Sequence, residues 1–189
     1  MKHSRIEAFE NLVAAFETFP SIGRKSAIRL AYHTVAVDSF GAMKLAHAIE
    51  SAVGTIGWCT RCHNMSCDEL CAVCSDESRD SSILCIVQSA KDILTIEESG
   101  QYNGLYYVIS QLSDLDEVHL FRALEGVSEV IFAFPPSIAT DTMILYIEDK
   151  LADFDLLFTK IAQGVPAGVE LENIDQVSLS KALQSRVKI

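Results

Sequence analysis

Cys59-Thr60-Arg61-Cys62 and Cys71-Ala72-Val73-Cys74, eight residues apart, are the side chains best placed to do chemistry. Each Cys-x2-Cys pair makes a tight knuckle that aims two thiolates at one point, and the short loop brings the second pair opposite the first. Four thiolates with no open position form a closed structural site, for which Zn2+ is the natural occupant. So short a polar segment cannot bury a core of its own, so metal binding would supply much of its folding free energy. Disulfides are disfavoured in a cytoplasmic chain. An iron–sulfur cluster is the other four-thiolate option, but nothing else here points to electron transfer; a redox site would need only one pair. Cys67 and His63 lie inside the loop and read as exposed bystanders, and Cys85, in an apolar run, as a buried core cysteine. Trp58 is expected to pack the knuckle onto its neighbour.

The second candidate is Phe19-Pro20-Ser21-Ile22-Gly23-Arg24-Lys25-Ser26-Ala27-Ile28-Arg29-Leu30, a turn between two helical stretches. Gly23 would let the backbone approach a ligand closely. The following helix begins with free N–H groups and a partial positive charge. Ile22, Gly23, Arg24, Lys25 and Arg29 are therefore candidate contacts to a sugar–phosphate backbone, which carries no base-specific information. A plain helical hairpin with exposed cations is the competing reading. His3, His33, His47, His63 and His119 are scattered and form no catalytic set, and Ser26 has no paired base nearby.

These residues must be positioned by three zones. Up to Val53, apolar residues recur at helical spacing (Ile6, Phe9, Val13, Phe16, Phe19, then Ile28, Leu30, Ala31, Val35), and a third helix is expected over about Ser39–Val53. The cysteine zone follows. From residue 83, apolar runs Ile83–Val87, Leu105–Ile109 and Val130–Phe134 alternate with helical stretches near Ala90–Ser99, Leu115–Leu124 and Thr140–Leu151. Phe154–Ile161 reads as a fourth strand. Strands alternating with helices predict an α/β unit with a mainly parallel sheet. After the loop Gly164-Val165-Pro166-Ala167-Gly168, Ile174–Arg186 looks helical.

Charge divides the 189 residues unevenly. The net of -11 alone argues against nucleic acid. Residues 1–65, however, carry seven Lys/Arg against five Asp/Glu, and residues 66–189 carry eight against twenty-one. A DNA-facing surface is expected in the first third, and the acidic remainder should face solvent or a protein. No run of about 18 apolar residues offers a membrane span, and no secretory signal is evident, so a cytoplasmic location is expected.

This order of parts resembles the RecR family of recombination mediators. Phe19–Ala27 is similar to the family's Leu-Pro-Gly-Ile-Gly-Pro-Lys-Ser-Ala hairpin, and the cysteine spacing is the family's own. Leu84-Cys85-Ile86-Val87 with Ser89 resembles the first strand and turn of its Toprim domain. Gly100–Tyr106 resembles its Gly-x-Tyr-x-Gly-x-Tyr segment, and Ile161–Gly168 with Glu170-Leu171-Glu172 its C-terminal signature. The resemblance implies four parts: a helix-hairpin-helix DNA-binding region over 1–56, a four-cysteine zinc finger over 57–80, a Toprim-like α/β domain over 81–162, and a C-terminal loop and helix over 163–189. It implies that Lys25 and Arg29 contact DNA and that Cys59, Cys62, Cys71 and Cys74 ligate zinc. It further implies a homo-oligomeric ring, dimeric or tetrameric, on duplex or gapped DNA. That ring would work with RecO, and RecF where present, to load RecA onto gaps coated by single-strand-binding protein.

Departures from the pattern bear on catalysis. Toprim enzymes place a Glu after the first strand; here it is Gln88, which cannot exchange a proton near neutral pH. The family's Asn-Pro-Thr-x-Glu-Gly-Glu stands as Pro135-Pro136-Ser137-Ile138-Ala139-Thr140-Asp141, leaving one carboxylate for a metal. Ser21 replaces the first hairpin Gly, and Ile109–Asp114 is a shortened loop. The reading is therefore a non-catalytic DNA-repair mediator. The alternatives are a zinc-stabilised protein-interaction module with little DNA binding, and a Toprim-type nuclease.

Overall fold

The computed structural model describes residues 6–162 and 168–184. The chain forms two compact units, one up to Ile56 and one from Gly57 onward.

In the first unit, α1 (Glu7–Glu17) and α2 (Arg24–Tyr32) form a hairpin. Its core is Val13 against Ala27 and Ala31, all fully buried, with Phe9, Leu12, Phe16 and Ile22 packed around them. Two alanines four residues apart present a flat strip on one face of α2, which lets α1 approach closely. The turn closes through the Ile22 N–H donating to the Phe19 carbonyl at 3.2 Å. Ser21 takes a left-handed backbone, φ 65°. Gly23 is extended, with φ -87° and ψ 169°. The conformational demand thus falls on Ser21, which stands where the family pattern has its first hairpin glycine and takes the left-handed backbone nonetheless. After α2 the chain continues as a π-helix, His33–Val37, and then α3, Ser39–Thr55, which Asp38 caps by accepting from the Gly41 N–H at 2.8 Å.

The second unit is an α/β layer structure. It opens with a short hairpin, β1 (Gly57–Trp58) and β2 (Met65–Ser66). Strands β3 (Asp80–Val87), β4 (Gly104–Val108), β5 (Glu129–Ala133) and β6 (Leu157–Lys160) then form a fully parallel sheet in the order β4-β3-β5-β6. Helices α4 (Ala90–Ser99), α5 (Glu117–Ala123) and α6 (Ile138–Lys150) make the crossovers, as parallel strands require. The α/β, mainly parallel architecture expected from the sequence is what the chain adopts. The expected element positions hold to within a few residues. The last helix, α7, runs Gln176–Gln184; the rest of its expected span and the Gly164–Ala167 part of the preceding loop lie outside the described residues.

Alternation along the strands divides the core. Leu84, Ile86, Tyr107, Val130 and Phe132 face a cluster with Leu120, Met143, Ile147 and Leu151 of the helices and the residues after them. Cys85, Val87, Tyr106 and Ala133 belong to a second cluster with Ile93 of α4 and the four paired cysteines. A one-residue register slip would exchange the two sets, so both faces fix the register.

A charged brace ties this second side together. Arg79, only 12% exposed in its side chain, is bidentate to Glu97 of α4, and the Tyr106 hydroxyl donates to the same carboxylate at 2.6 Å. The Arg79 guanidinium, then the Tyr106 hydroxyl, hold Glu97 below the usual carboxylate range against partial burial. A carboxylate with a depressed folded pKa stabilises the fold above its unfolded pKa, and that contribution fades as pH falls through the folded value. Glu97→Gln should therefore cost about 2 kcal/mol at pH 7 in chemical denaturation. The gap between variant and native protein should narrow steadily toward about pH 3; a gap independent of pH would refute the assignment.

Candidate metal centre and nucleic-acid interface

The four paired cysteines converge. Their Sγ atoms all lie within 4.8 Å of one another, Cys62 and Cys71 at 3.5 Å, and all four residues are buried. The local fold explains how. The His63 N–H donates to the Cys59 carbonyl at 3.0 Å and the Ser75 N–H to the Cys71 carbonyl at 3.0 Å, so each pair closes its own turn. The Thr60 N–H reaches the Glu69 carbonyl at 2.9 Å and binds the two turns together. His63 takes φ 62°, and the β1–β2 hairpin leads in and out. The knuckle is not a free finger: the Val108 N–H of edge strand β4 donates to the Cys62 carbonyl at 2.9 Å.

The donor set fits a soft tetrahedral cation. Metal–sulfur bonds of about 2.3 Å imply sulfur–sulfur edges of roughly 3.8 Å, within the spread seen. Cys74 is the readiest thiolate, brought down to about 6 chiefly by the Cys62 sulfhydryl, with Cys59, Cys71 and the charge of Arg61 adding to it against burial. Cys62 is pushed up by its hydrogen bond to Cys74 and by burial, Cys71 chiefly by burial. Burial works against charge on Cys62 and Cys71, so gathering four thiolates at one point needs a metal. Cys67 is exposed and Cys85 buried, as expected, the latter held up at about 12 by burial.

Two expectations about the knuckle change. Trp58 does not pack it down; it is 68% exposed, because its two-residue strand has no sheet face to cover. The histidines are not all scattered: His63 and His119 stack with ring centroids 4.4 Å apart. His119 Nε2 lies 2.7 Å from the Thr60 carbonyl and Nδ1 lies 2.8 Å from the Tyr107 hydroxyl. An Nε2–H that donates to Thr60 leaves Nδ1 to pair with the Tyr107 hydroxyl, so strand, helix α5 and knuckle are latched through one imidazole. Burial first, then His119, lowers the pKa of His63.

The hairpin cations part company. The Arg24 guanidinium donates to Glu17 at 2.9 Å and to Glu10 at 2.5 Å, so it braces α2 against α1. Lys25 and Arg29 are exposed, and among the described residues no hydrogen bond or ion pair engages their side chains. Gly23 offers no side-chain cap to the first turn of α2, and nothing crowds its Cα. Ile22 is half-buried beside the Val13 core, so it anchors the turn from below.

At the strand ends, half-buried Gln88 follows β3, and the nearby Asp92 carboxylate is taken up by the Ser89 N–H at 2.8 Å and the Ser89 hydroxyl at 3.1 Å. Asp141 is exposed in the first turn of α6. Among the described residues no acidic cluster converges there as the cysteines do.

Comparison with known proteins matches this layout. Residues 9–53 match the RecR helix-hairpin-helix family, 82–162 the Toprim domain and 164–187 the RecR C-terminal family. The protein named Recombination protein RecR from a Nitratiruptor species is 57% identical over 187 residues, 98% of each chain. The chain belongs to the RecR family. RecR proteins from Campylobacter jejuni, 50% identical over 97% of this chain and 98% of theirs, and from Helicobacter pylori, 47% over 95% and 94%, carry the same name. The resemblance read from the hairpin, the cysteines and the Ala-Gln-Gly-Val-Pro run is thereby confirmed. No described helix is long and apolar enough to cross a membrane.

Two measurements check this RecR-type site. In the native protein one thiol, Cys67, should react quickly with a disulfide reagent, four more only after a strong chelator is added, and Cys85 only on unfolding; several fast thiols before chelation would contradict the closed centre. His119→Ala should lower stability by about 1–2 kcal/mol through loss of the latch; an unchanged denaturation midpoint would remove the latch from the account.

Proposed function

We propose that this RecR-family chain is a non-catalytic, DNA-binding recombination mediator in DNA repair. It helps a RecO-type partner, and RecF where present, load RecA onto gapped DNA coated by single-strand-binding protein. The observation that carries the DNA part is the pair Lys25 and Arg29, exposed on α2 and, among the described residues, unpaired, while their neighbour Arg24 is held by two glutamates. Cations left free beside an uncapped helix N-terminus are suited to phosphate, and their contacts are independent of sequence. Ile22, Gly23 and Arg24 complete the proposed contact set, Ile22 and Gly23 through the backbone of the turn and Arg24 as a cation already braced by Glu10 and Glu17.

Zinc is the metal we assign to Cys59, Cys62, Cys71 and Cys74, on the all-sulfur donor set and its burial. It supplies a structural cross-link in a cytoplasmic protein. The regions 1–56, 57–80, 81–162 and 163–189 then act as DNA-binding hairpin, zinc finger, Toprim-like body and C-terminal signature. Gln88 supports the absence of catalysis, since a carboxamide offers neither a proton nor a charge.

A homo-oligomeric ring is supported by the apolar surface of the first unit. A groove of about 480 Å³ lined by Leu12, Phe16, Phe19, Met43, Leu45 and Ile49 lies open there, and Phe40 is 83% exposed. Patches of this kind mark association sites.

The test is titration of gapped duplex at about 50 mM salt, with and without a RecO-type partner. Lys25→Ala and Arg29→Ala should each weaken binding about 3–10-fold and flatten the salt dependence by about 0.9 in log–log slope. Absence of binding with the partner present would overturn the reading. Metal analysis should return zinc in one-to-one ratio with the chain, and light scattering a mass above the 20.8 kDa of the monomer.

A further inference from the structure

In a chain of net charge -11, the stretch Arg24–Val37 contains no acidic residue at all. It holds the two free cations and ends in the π-helix His33–Val37. π-turns are rare and frequently sit at functional sites. The first residue of this one, His33, is exposed, and among the described residues no hydrogen bond or ion pair engages its imidazole.

His33 stands four residues beyond Arg29, which stands four beyond Lys25. Each step of four climbs about 6 Å along a helix and turns about 40° round it, so the three side chains make one gently drifting row about 12 Å long. Arg29 and His33 also line the same open cleft, of about 640 Å³, with Phe9 of α1, Ser26 and Tyr32 of α2 and Val37 of the π-helix. Every element that contributes to the cleft is thereby represented. Arg29 is the sole permanent charge among its lining residues, and the Tyr32 hydroxyl the one other titratable group beside His33. Among the described residues no carboxylate lines the cleft; the nearest acid along the chain is Asp38, at the junction with α3, whose N–H donates to the His33 carbonyl at 2.9 Å while its side chain is engaged in accepting from the Gly41 N–H at 2.8 Å. Two cations four apart on a helix repel. An anion held between them reverses the sign, because a phosphate favours the protonated ring.

We propose that His33 is a third backbone-phosphate contact, continuing the row of Lys25 and Arg29, so that the grip on DNA tightens on acidification. This rests on the DNA-binding reading above and deepens it. Histidine is the side chain whose charge changes between about pH 5 and 8, so the third contact is present or absent by pH, while the first two are constant. The row fits the sugar–phosphate backbone of one strand and carries no base preference.

The experiment is fluorescence anisotropy of the full-length protein on a labelled gapped duplex, with its RecO-type partner, at about pH 6 and about pH 8 and at several salt concentrations. The native chain should bind about 3–10-fold more tightly at the lower pH, with a log–log salt slope steeper by about 0.9, one phosphate contact. His33→Gln should bind at the lower pH as the native chain does at the higher. His33→Arg should bind tightly with the steeper slope at both, which also guards against a folding defect in the Gln variant. A pH difference that persists undiminished in His33→Gln overturns the proposal, as does a native slope that is equal at both pH values. Lys25→Ala separates the two readings. If it weakens binding while both His33 variants track the native profile, only the third contact falls; if the native chain binds at neither pH, the DNA-binding reading falls with it.

Discussion

Everything in the second unit depends on four sulfurs meeting at one point against a sheet. A parallel sheet must be covered on both faces, normally by helices. Here α5 and α6 cover the Leu84–Ile86 face. On the other face α4 brings Ile93, and the rest of the cover is the knuckle, whose four cysteines share one apolar cluster with Cys85, Val87 and Tyr106. The knuckle has almost no apolar side chains of its own to offer; Val73 is the one non-cysteine among its buried hydrophobic residues. Its cohesion must come from the sulfurs and from a few backbone bonds. Buried thiols are a workable substitute for a core because sulfur is apolar when protonated and a strong ligand when not. The same centre therefore serves as cover for the sheet and as the cross-link of the loop that provides it.

The hairpin shows a different division of labour, between charges that hold the fold and charges left for a ligand. Glu10 and Glu17 lie seven residues apart, two turns along one face of α1, and both reach Arg24. That pairing satisfies the cation and fixes the two helices in register. It also offsets the acids nearest the turn, so their field weighs less on the phosphate contact proposed for Lys25 and Arg29. Ser21 completes the arrangement by taking the left-handed backbone that lets the chain turn before α2 begins. Non-glycine residues there are strained by about 1–2 kcal/mol, which the surrounding contacts of Ile22 and Val13 must offset.

What can be read from the sequence is whatever has a local signature. The cysteines of each pair are separated by two residues, and the strands are short runs of Val, Ile, Leu and Phe. Spacing and periodicity therefore expose the four-cysteine cluster, the sheet and the helices α4 and α6 to within a few residues. The His119 latch has no such signature, since Thr60 lies 59 residues away and is reached through its backbone carbonyl. Trp58 misleads because an indole beside a cysteine looks like packing, whereas a two-residue strand buries nothing. The Arg24 brace is legible in principle: two glutamates at a spacing of seven on a helix that must fold back on the next one point to a cation there. At the turn the left-handed backbone falls on Ser21, where the family pattern has its first hairpin glycine, and the serine adopts it; Gly23 is merely extended ahead of an uncapped N-terminus.

The Toprim body bears on the proposal that DNA is met at the hairpin. In an open parallel sheet, chemistry collects beyond the carboxyl ends of the strands. In this chain those ends have been converted to structural use. Gln88 brings no charge, and Asp92, the next acid along, is bound into the capping box of α4. After β5, Thr140 donates to the Pro135 carbonyl at 2.7 Å and closes the cap of α6 with Ser137. Two prolines and two helix caps make a rigid corner with its polar groups mutually satisfied. One exposed carboxylate, Asp141, remains, and one carboxylate is too little to hold Mg2+ against water without substrate phosphates or a second ligand. A sheet whose usual site is closed in this way can still present a shape to a protein partner. In the proposed complex, contact with phosphates comes from cations that no partner engages among the described residues, and α2 places two of them, Lys25 and Arg29, within two helical turns of the His33 imidazole on a stretch that carries no acid.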